Sequence, residues 1–145
     1  MTITNVAFQV PGDPQGKGRA RVGKVAGHAR LFTPIKTVHY EGVIALAAQQ
    51  AMADAPPWAG AVALAIVVHH VPPASWSRVK REAALAGARP ATCKPDLDNI
   101  AKAVGDACNG VVWVDDKQIA SLSITRRYSL TPGLWVTAAV QDATR

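Results

Sequence analysis

The stretch from Ala61 to Val71 constrains the fold more than any other part of the sequence. It is apolar at nearly every position, ends in the pair His69-His70, and is followed by Pro72-Pro73. Apolar residues on both alternating faces are typical of a central strand that is covered on both sides. We therefore expect this stretch to be the spine of a sheet, with one histidine pointing inward and the other outward.

Three further segments have strand patterns: Val6–Val10, Ser121–Tyr128 and Leu134–Val140. Pro132-Gly133 predicts a hairpin turn between the last two. The prediction is an α+β fold: one domain over residues 1–145, with a mixed sheet of about four strands and two or three helices packed on it.

The first predicted helix begins at Thr33-Pro34, which supply an N-cap hydroxyl and a proline suited to a first turn, and it continues to Ala53. Its predicted apolar stripe consists of Ile35, Val38, Val43, Leu46, Ala47 and Met52. The residues expected to face away are Lys36, Glu41, Gln49 and Gln50. A second, short helix is predicted over Ser75–Ala86, with Ser75 or Ala74 near its cap and Gly87 after it.

Composition narrows the class of protein. The chain has 145 residues, a net charge of +6 and a pI near 9.8, which favours a polyanionic partner such as nucleic acid or an anionic membrane surface. No apolar run is long enough to span a bilayer and no signal-peptide pattern is present, so we expect a cytoplasmic protein without a membrane partner. Cys93 and Cys108 are expected to be reduced, and neither the cysteines nor the four histidines have zinc-ligand spacing.

Basic side chains concentrate in two places. Residues 13–30 form a glycine-rich segment with five Lys or Arg, expected to be a mobile loop or an irregular hairpin whose backbone can approach phosphate. The second predicted helix is basic on one side. The predicted DNA contacts are Lys17, Arg19, Arg21, Lys24, Arg30, Arg78, Lys80 and Lys94.

Five of the ten carboxylates lie between Lys94 and Gln118. An Asp at 96 or 98 can cap a helix whose core-facing arc is Leu97, Ile100, Ala101, Val104 and Cys108. The opposite face carries Asp98, Lys102, Asp106 and Asn109. Taken alone, Asp98 and Lys102 would be an ordinary i, i+4 pair on a solvated face.

The residues that follow make a catalytic interpretation stronger. Asn109-Gly110 can end the helix, and the expected strand Val111–Val114 stops at Asp115-Asp116. If helix and strand pack together, Asp96 and Asp98 approach Asp115 or Asp116, and such like charges need a cation between them. Oxygen ligands alone select Mg²⁺ or Mn²⁺, and on a basic protein this predicts phosphodiester hydrolysis, with Lys102 stabilising the phosphate.

These motifs resemble the RusA-type Holliday junction resolvases of bacteria and their phages. The resemblance is carried by three blocks, with weaker similarity over most of the chain: Lys94-Pro95-Asp96-Leu97-Asp98-Asn99-Ile100-Ala101-Lys102, Asp106-Ala107-Cys108-Asn109-Gly110, and Trp113-Val114-Asp115-Asp116-Lys117-Gln118-Ile119. One departure is Ala20, where many relatives have proline in the basic loop.

The resemblance implies a Mg²⁺-dependent homodimeric endonuclease that nicks two opposed strands of a four-way DNA junction in recombination and repair. By position, its essential acids correspond to Asp96, Asp98 and Asp116, and its essential lysine to Lys102. Asp115 matches a common family acid and is a further candidate metal ligand. Asp106 lies about 12 Å along the helix from Asp98, so we expect it to have a structural or supporting role.

Two other functions fit parts of the sequence. One is a less selective nuclease that acts on branched or flap DNA with the same chemistry. The other is a non-catalytic DNA-binding protein whose carboxylates only cap a helix and pair with lysines. An RNA-binding module would need an aromatic sheet face or a GXXG clamp, and neither is evident. Arg126 and Arg127 are equally consistent with DNA contact and with solvation, while the four tryptophans are expected mainly in the core or a dimer interface.

Overall fold

A mixed sheet and three helices form the fold, which confirms the predicted α+β class. The computed structural model describes residues 3–18, 21–32 and 34–141. The elements, in chain order, are β1 (Asn5–Pro11), β2 (Arg21–Val25), β3 (His28–Phe32), α1 (Ile35–Met52), β4 (Val62–His70), α2 (Arg78–Leu85), α3 (Leu97–Ala107), a short 3-10 helix (Asp116–Gln118), β5 (Ile119–Tyr128) and β6 (Gly133–Val140).

The four long strands pair in the order β1-β6-β4-β5. β6 is antiparallel to both β1 and β4, whereas β5 is parallel to β4. The predicted hairpin between β5 and β6 is therefore wrong, because these strands are not neighbours. β6 takes an inner position and buries Leu134, Val136 and Ala138, while the largely exposed β5 lies at the edge.

β4 is the predicted spine, paired on both sides, and its residues alternate between buried and half-buried. Only one of its faces is fully covered in the described part of the chain, so the expectation of two covered faces is wrong. The covered face packs with α1 and α3 into a single main core. His70 is buried and His69 half-buried beside Trp135, which confirms the inward and outward pair.

Helix α1 buries a different face from the one predicted. Its buried residues are Thr37, Tyr40, Ile44, Ala48 and Met52. Four members of the predicted stripe are exposed instead: Ile35 72%, Val38 52%, Val43 41% and Leu46 55%. Apolar residues occur all round this alanine-rich helix, so periodicity could not select a face, and the buried face includes a threonine and a tyrosine that hydropathy does not mark as core.

Helix α2 begins at Arg78, later than predicted, because the Ser77 hydroxyl, rather than Ser75 or Ala74, accepts the N–H of Lys80 at 3.2 Å. The predicted cap Thr33 of α1 lies outside the described residues, and Pro34 occupies the N-cap position there. Trp58 and Trp113 are buried, as expected, whereas Trp135 is exposed. No helix in the described ranges is long and apolar enough to cross a membrane.

Candidate active site

Helix α3 carries two exposed carboxylates at its N-terminus. Asp96 occupies the N-cap position in an extended conformation, but its side chain caps no backbone N–H. Asp98 follows in the first turn and is exposed. Neither carboxylate makes a hydrogen bond or an ion pair with any described residue. An N-cap aspartate usually accepts such an N–H, so its oxygens here remain available to a ligand.

Lys102, one turn along α3, pairs with Asp106 rather than with Asp98. Its Nζ lies 3.3 Å from Asp106 Oδ1, and the other oxygen, Oδ2, lies 3.3 Å from Lys17 Nζ. Lys17 also contacts Glu41 Oε2 at 2.7 Å, so the expectation that Glu41 faces away is wrong. Asp106 thus joins the basic segment to the candidate lysine. This link was missed because it depends on how α1 packs against α3.

The charges around Lys17 favour its protonated form. Burial acts to lower the pKa of Lys17, but the hydrogen bonds and negative charges of Glu41 and then Asp106 outweigh it, and the net pKa is raised. The ammonium therefore stays charged at neutral pH. Lys17 is one of the predicted DNA contacts, and the structure holds its Nζ between two carboxylates.

The backbone around Lys17 packs tightly against both helices. The Lys17 N–H donates to Asn99 O at 3.1 Å, and the Gly18 N–H donates to Thr37 Oγ1 at 2.8 Å. A Cβ added at Gly16 would lie 2.8 Å from Asn99 Cβ, and one at Gly18 would lie 2.6 Å from Thr37 Oγ1. Glycine is therefore required at both positions for close approach. The segment is anchored here, and the predicted irregular hairpin is the β2–β3 pair that follows.

A pocket of about 350 Å³ lies between this segment and the start of α3. Its lining residues are Gly16, Lys17, Lys94, Pro95, Asp96 and Asn99. Two lysines and one free carboxylate thus border the same space. Such a combination suits a ligand that carries phosphate together with a cation.

The chain after α3 makes tight turns instead of the strand predicted over Val111–Val114. Gly110 has a φ of 77°, and its N–H donates to Trp113 O at 2.7 Å. The buried Trp113 indole donates to Gly105 O at 3.3 Å and to Asn109 Oδ1 at 3.1 Å. The valine-rich composition suggested a strand. These residues instead pack into the core beside α3, and Trp113 forms isolated β-bridges to Trp58 and Asn109.

These turns place Asp116 against α3. A Cβ built on Gly105 would lie 3.5 Å from Asp116 Cβ and 3.8 Å from its Oδ2. Gly105 is three residues beyond Lys102 and is therefore its neighbour on the helix surface. The structure thus brings Asp116 close to the face of α3 that carries Lys102.

Asp115 has a structural contact of its own. Its Oδ1 accepts the Lys117 N–H at 2.9 Å, and its own N–H donates to Gln118 Oε1 at 2.8 Å, which completes a capping box. That Lys117 hydrogen bond, with smaller effects of the Asp116 carboxyl and the Lys117 charge, lowers the pKa of Asp115 against the effect of burial. Gln118 Nε2 then donates to Trp58 O and Gly60 O at 2.7 and 2.9 Å. This network fixes the backbone on which Asp116 is carried.

The donor chemistry of the acidic residues fits a hard divalent cation, because carboxylate oxygens are the ligands that Mg²⁺ and Mn²⁺ prefer. In residues 3–18, 21–32 and 34–141, however, no group of three or more His, Cys, Asp or Glu side chains is close enough to hold a metal ion. The convergence of Asp96 and Asp98 with Asp115 or Asp116 on one cation stays a prediction.

The other predicted DNA contacts are spread over the surface. Arg19 and the side chain of Arg21 lie outside the described residues. Lys24 and Arg30 are exposed on the β2–β3 hairpin, and Lys94 is exposed beside the pocket. On α2, Arg78 pairs with Glu82 at 2.9 Å and Lys80 Nζ lies 4.1 Å from the centre of the Trp76 ring.

Arg126 lies beside the candidate site, and the sequence was equally consistent with DNA contact and with solvation. Its guanidinium donates to the carbonyls of Cys93 and Pro95, with 2.8 Å from Nη2 to Pro95 O. The one signal for Arg126 in the sequence is strand alternation, which directs one of the two neighbouring arginines toward the helices.

Cys93 and Cys108 are both free thiols, as expected, and burial raises the pKa of Cys108 to about 12.

A carboxylate and two lysines beside one pocket of a basic domain are suited to metal-assisted phosphodiester cleavage. The chain belongs to the RusA family of endodeoxyribonucleases: it matches "Endodeoxyribonuclease RusA" over residues 11–138, and it is an enzyme of that class. It is also 33% identical over 129 residues to "Uncharacterized protein YqaN" of Bacillus subtilis (strain 168), covering 88% of this chain and 90% of that protein. The family match confirms the resemblance read from the sequence.

Proposed function

We propose that this enzyme is a Mg²⁺-dependent endonuclease that resolves four-way DNA junctions by paired nicks in opposed strands, in recombination and repair. Membership of the RusA endodeoxyribonuclease family supports the reaction class. The observation that carries the site assignment is the start of α3, where Asp96 and Asp98 lack partners among the described residues while Lys17 and Lys94 border the adjoining pocket.

Asp96, Asp98 and Asp116 are the proposed metal ligands. Mg²⁺ bound there supplies polarisation of the phosphoryl oxygen and a lower pKa for the attacking water, and Mn²⁺ is the expected substitute. Asp115 contributes mainly by capping the 3-10 helix that carries Asp116, since one of its oxygens already accepts the Lys117 N–H. The absence of a capping hydrogen bond from Asp96 to any described residue supports this assignment, because such a bond would otherwise occupy its oxygens.

Lys102 is the proposed catalytic lysine. Hydrolysis adds a water oxygen to phosphorus while the bond to the leaving oxygen breaks, and negative charge grows on the phosphoryl oxygens. A fixed ammonium stabilises that charge, which favours the transition state over the ground state. Lys102 is suited to this role because its side chain is 58% exposed, so it can reach substrate, while Asp106 limits its orientations.

DNA is proposed to lie across the basic surface beside α3. Lys94 and Lys17 border the pocket, and Lys24 and Arg30 extend the positive charge along the exposed hairpin. Contacts of this kind bind the phosphate backbone without reading sequence, which suits an enzyme that selects a branched shape. The same class of contact predicts that affinity falls as salt concentration rises.

A homodimer is proposed because two opposed strands of a junction are cut, and a two-fold axis presents the same site to both. We further propose that the enzyme acts in the cytoplasm of a bacterium, where chromosomal or phage DNA is accessible. Light scattering at micromolar concentration tests the dimer: a mass of about twice the 15.2 kDa chain is expected, and a monomer would contradict it.

The function is tested by nicking of a synthetic mobile four-way junction in Mg²⁺, with a linear duplex of the same sequence as the comparison substrate. Symmetric nicks confined to the junction are expected. Equal rates on both substrates, or a preference for flaps, would favour the less selective nuclease. Junction binding without cleavage under any divalent cation would favour the non-catalytic protein.

A further inference from the structure

The guanidinium of Arg126 reaches from β5 to the loop that enters α3. It donates to the carbonyls of Cys93 and Pro95, which flank Lys94, and Pro95 directly precedes Asp96. Elsewhere in the described ranges no hydrogen bond to these two carbonyls is present. One rigid planar group therefore joins the sheet to the residues just before the proposed metal ligands.

We propose that Arg126 is a positioning residue that sets the start of α3, and with it the Asp96 and Asp98 carboxylates, for metal binding and cleavage. This inference rests on the proposed function for its catalytic consequence. Its structural part, that the Arg126 guanidinium fixes the backbone of residues 93–96, does not depend on the proposed function.

Two features of Arg126 favour positioning over DNA contact. The side chain is half-buried and lies on the same face of β5 as the buried Tyr128, the face turned toward the helices. Its donors are directed at backbone carbonyls, whereas a DNA contact would leave them directed at solvent. Arginine suits this task because its fork spans two acceptors, which a lysine ammonium cannot do with the same geometry.

The neighbouring Arg127 is a matched control. It carries the same charge one position along the strand, but it is exposed and points to the opposite face, where burial and then the Arg127 charge lower the pKa of His69. Electrostatic attraction of DNA would depend on both arginines to a similar degree. Positioning of the α3 entry depends on Arg126 alone.

The experiment compares Arg126→Lys and Arg126→Gln with Arg127→Lys and Arg127→Gln. The first readout is independent of activity: the carbonyl ¹³C resonances of Cys93 and Pro95, and hydrogen exchange of the Ile100 amide, which donates to Asp96 O at 3.1 Å. Both Arg126 variants should move those resonances and speed that exchange, while both Arg127 variants leave them unchanged.

The second readout is Mn²⁺ affinity by calorimetry, together with kcat and junction Kd. Misplacement of reacting groups by about 1 Å can cost about a hundredfold in rate, so a fall in kcat of about 10- to 100-fold is expected for Arg126→Lys. Mn²⁺ affinity should weaken while junction Kd changes less than about threefold. The lysine variant keeps the charge and serves as the informative one if Arg126→Gln fails to fold.

Equal losses of junction affinity in the Arg126 and Arg127 variants with kcat unchanged would make Arg126 a DNA contact and overturn the proposal. Unaltered Cys93 and Pro95 resonances in Arg126→Lys would overturn it as well. Failure of the proposed function has a different result: the wild-type protein would not nick junctions, while the resonance shifts would still distinguish the two arginines.

Discussion

Replacement of Gly16 by alanine tests the close packing that holds Lys17 beside α3. The added methyl carbon would lie 2.8 Å from Asn99 Cβ and 3.1 Å from Pro95 Cβ, whereas carbon atoms prefer about 3.5–4.0 Å. Neither neighbour is the end of a flexible side chain, so the segment must move away from α3 by about 1 Å. Gly16 does not have a positive φ, and the effect is therefore steric rather than conformational.

The expected loss combines two contributions. Overpacking costs about 1–3 kcal/mol, and displacement weakens the hydrogen bond from the Lys17 N–H to Asn99 O, which is worth about 1 kcal/mol. A destabilisation of about 2–4 kcal/mol is expected, which lowers Tm by roughly 4–16 °C in a domain of this size. Junction nicking should fall as well, because Lys17 leaves the pocket that it shares with Asp96.

Gly42→Ala is the matched control for the same chemical change. Gly42 lies within α1 and a Cβ there would meet no atom within 4 Å, so alanine should stabilise the helix by roughly 0.5–1 kcal/mol and leave nicking unchanged. Both variants are measured by urea and thermal unfolding. A Gly16→Ala protein with wild-type Tm and wild-type nicking would refute the claim that this segment is packed against α3.

Three further predictions concern charged and titratable groups. Asp106→Asn should release Lys102, leave Lys17 paired with Glu41 alone and reduce kcat about tenfold, since misoriented catalytic groups act less often; steady-state kinetics on junction DNA check this, and a change in KM alone would contradict it. The pKa of Asp115 is lower in the folded state than its ordinary value of 3.8, so its stabilising contribution is present above pH 3.8 and is lost as pH falls through the folded-state pKa. In urea titrations, the stability advantage of wild type over Asp115→Asn should therefore shrink below pH 3.8. A difference that stays constant with pH would contradict this. Burial lowers the pKa of His70 below 6.5, and so do the nearby positive charges of Arg126 and His69, whose effect outweighs that of Asp13. The unfolded chain therefore binds the proton more readily, and the free energy of unfolding should decrease as pH falls below about 6.5. This decrease should be smaller in His70→Leu, and equal slopes in the two proteins would refute the prediction.

Local patterns were sufficient to predict the four strands of the main sheet, helix α3 and its two faces. Asp98 and Lys102 are exposed on α3 and Ile100 and Val104 are buried, as a period of 3.6 residues dictates. Gly110 ends the helix region with a positive φ, as the Asn109-Gly110 pair indicated. These features depend on neighbours in the sequence, which is why they could be read from it.

Features that depend on distant packing could not be predicted. The partner of Lys102 proved to be Asp106, shared with Lys17, because α1 brings Glu41 and Thr37 against the segment that carries Lys17. The order of β5 and β6 in the sheet was mispredicted for the same reason, since strand order depends on contacts between elements that are far apart in the sequence. Valines at 111 and 112 favoured a strand, yet the buried Trp113 holds them in turns.

The most direct test of the account is Mg²⁺-dependent nicking of a mobile four-way junction by wild type, Asp98→Asn and the control Asp54→Asn. Asp54 is exposed beyond α1 and makes no ion pair with a described residue, so its substitution should preserve activity. Asp98→Asn should abolish nicking, keep junction Kd within about threefold and leave the free energy of unfolding within about 0.5 kcal/mol of the wild-type value, as is typical of surface changes. Wild-type nicking by Asp98→Asn would contradict the assignment of the α3 carboxylates as the catalytic metal ligands.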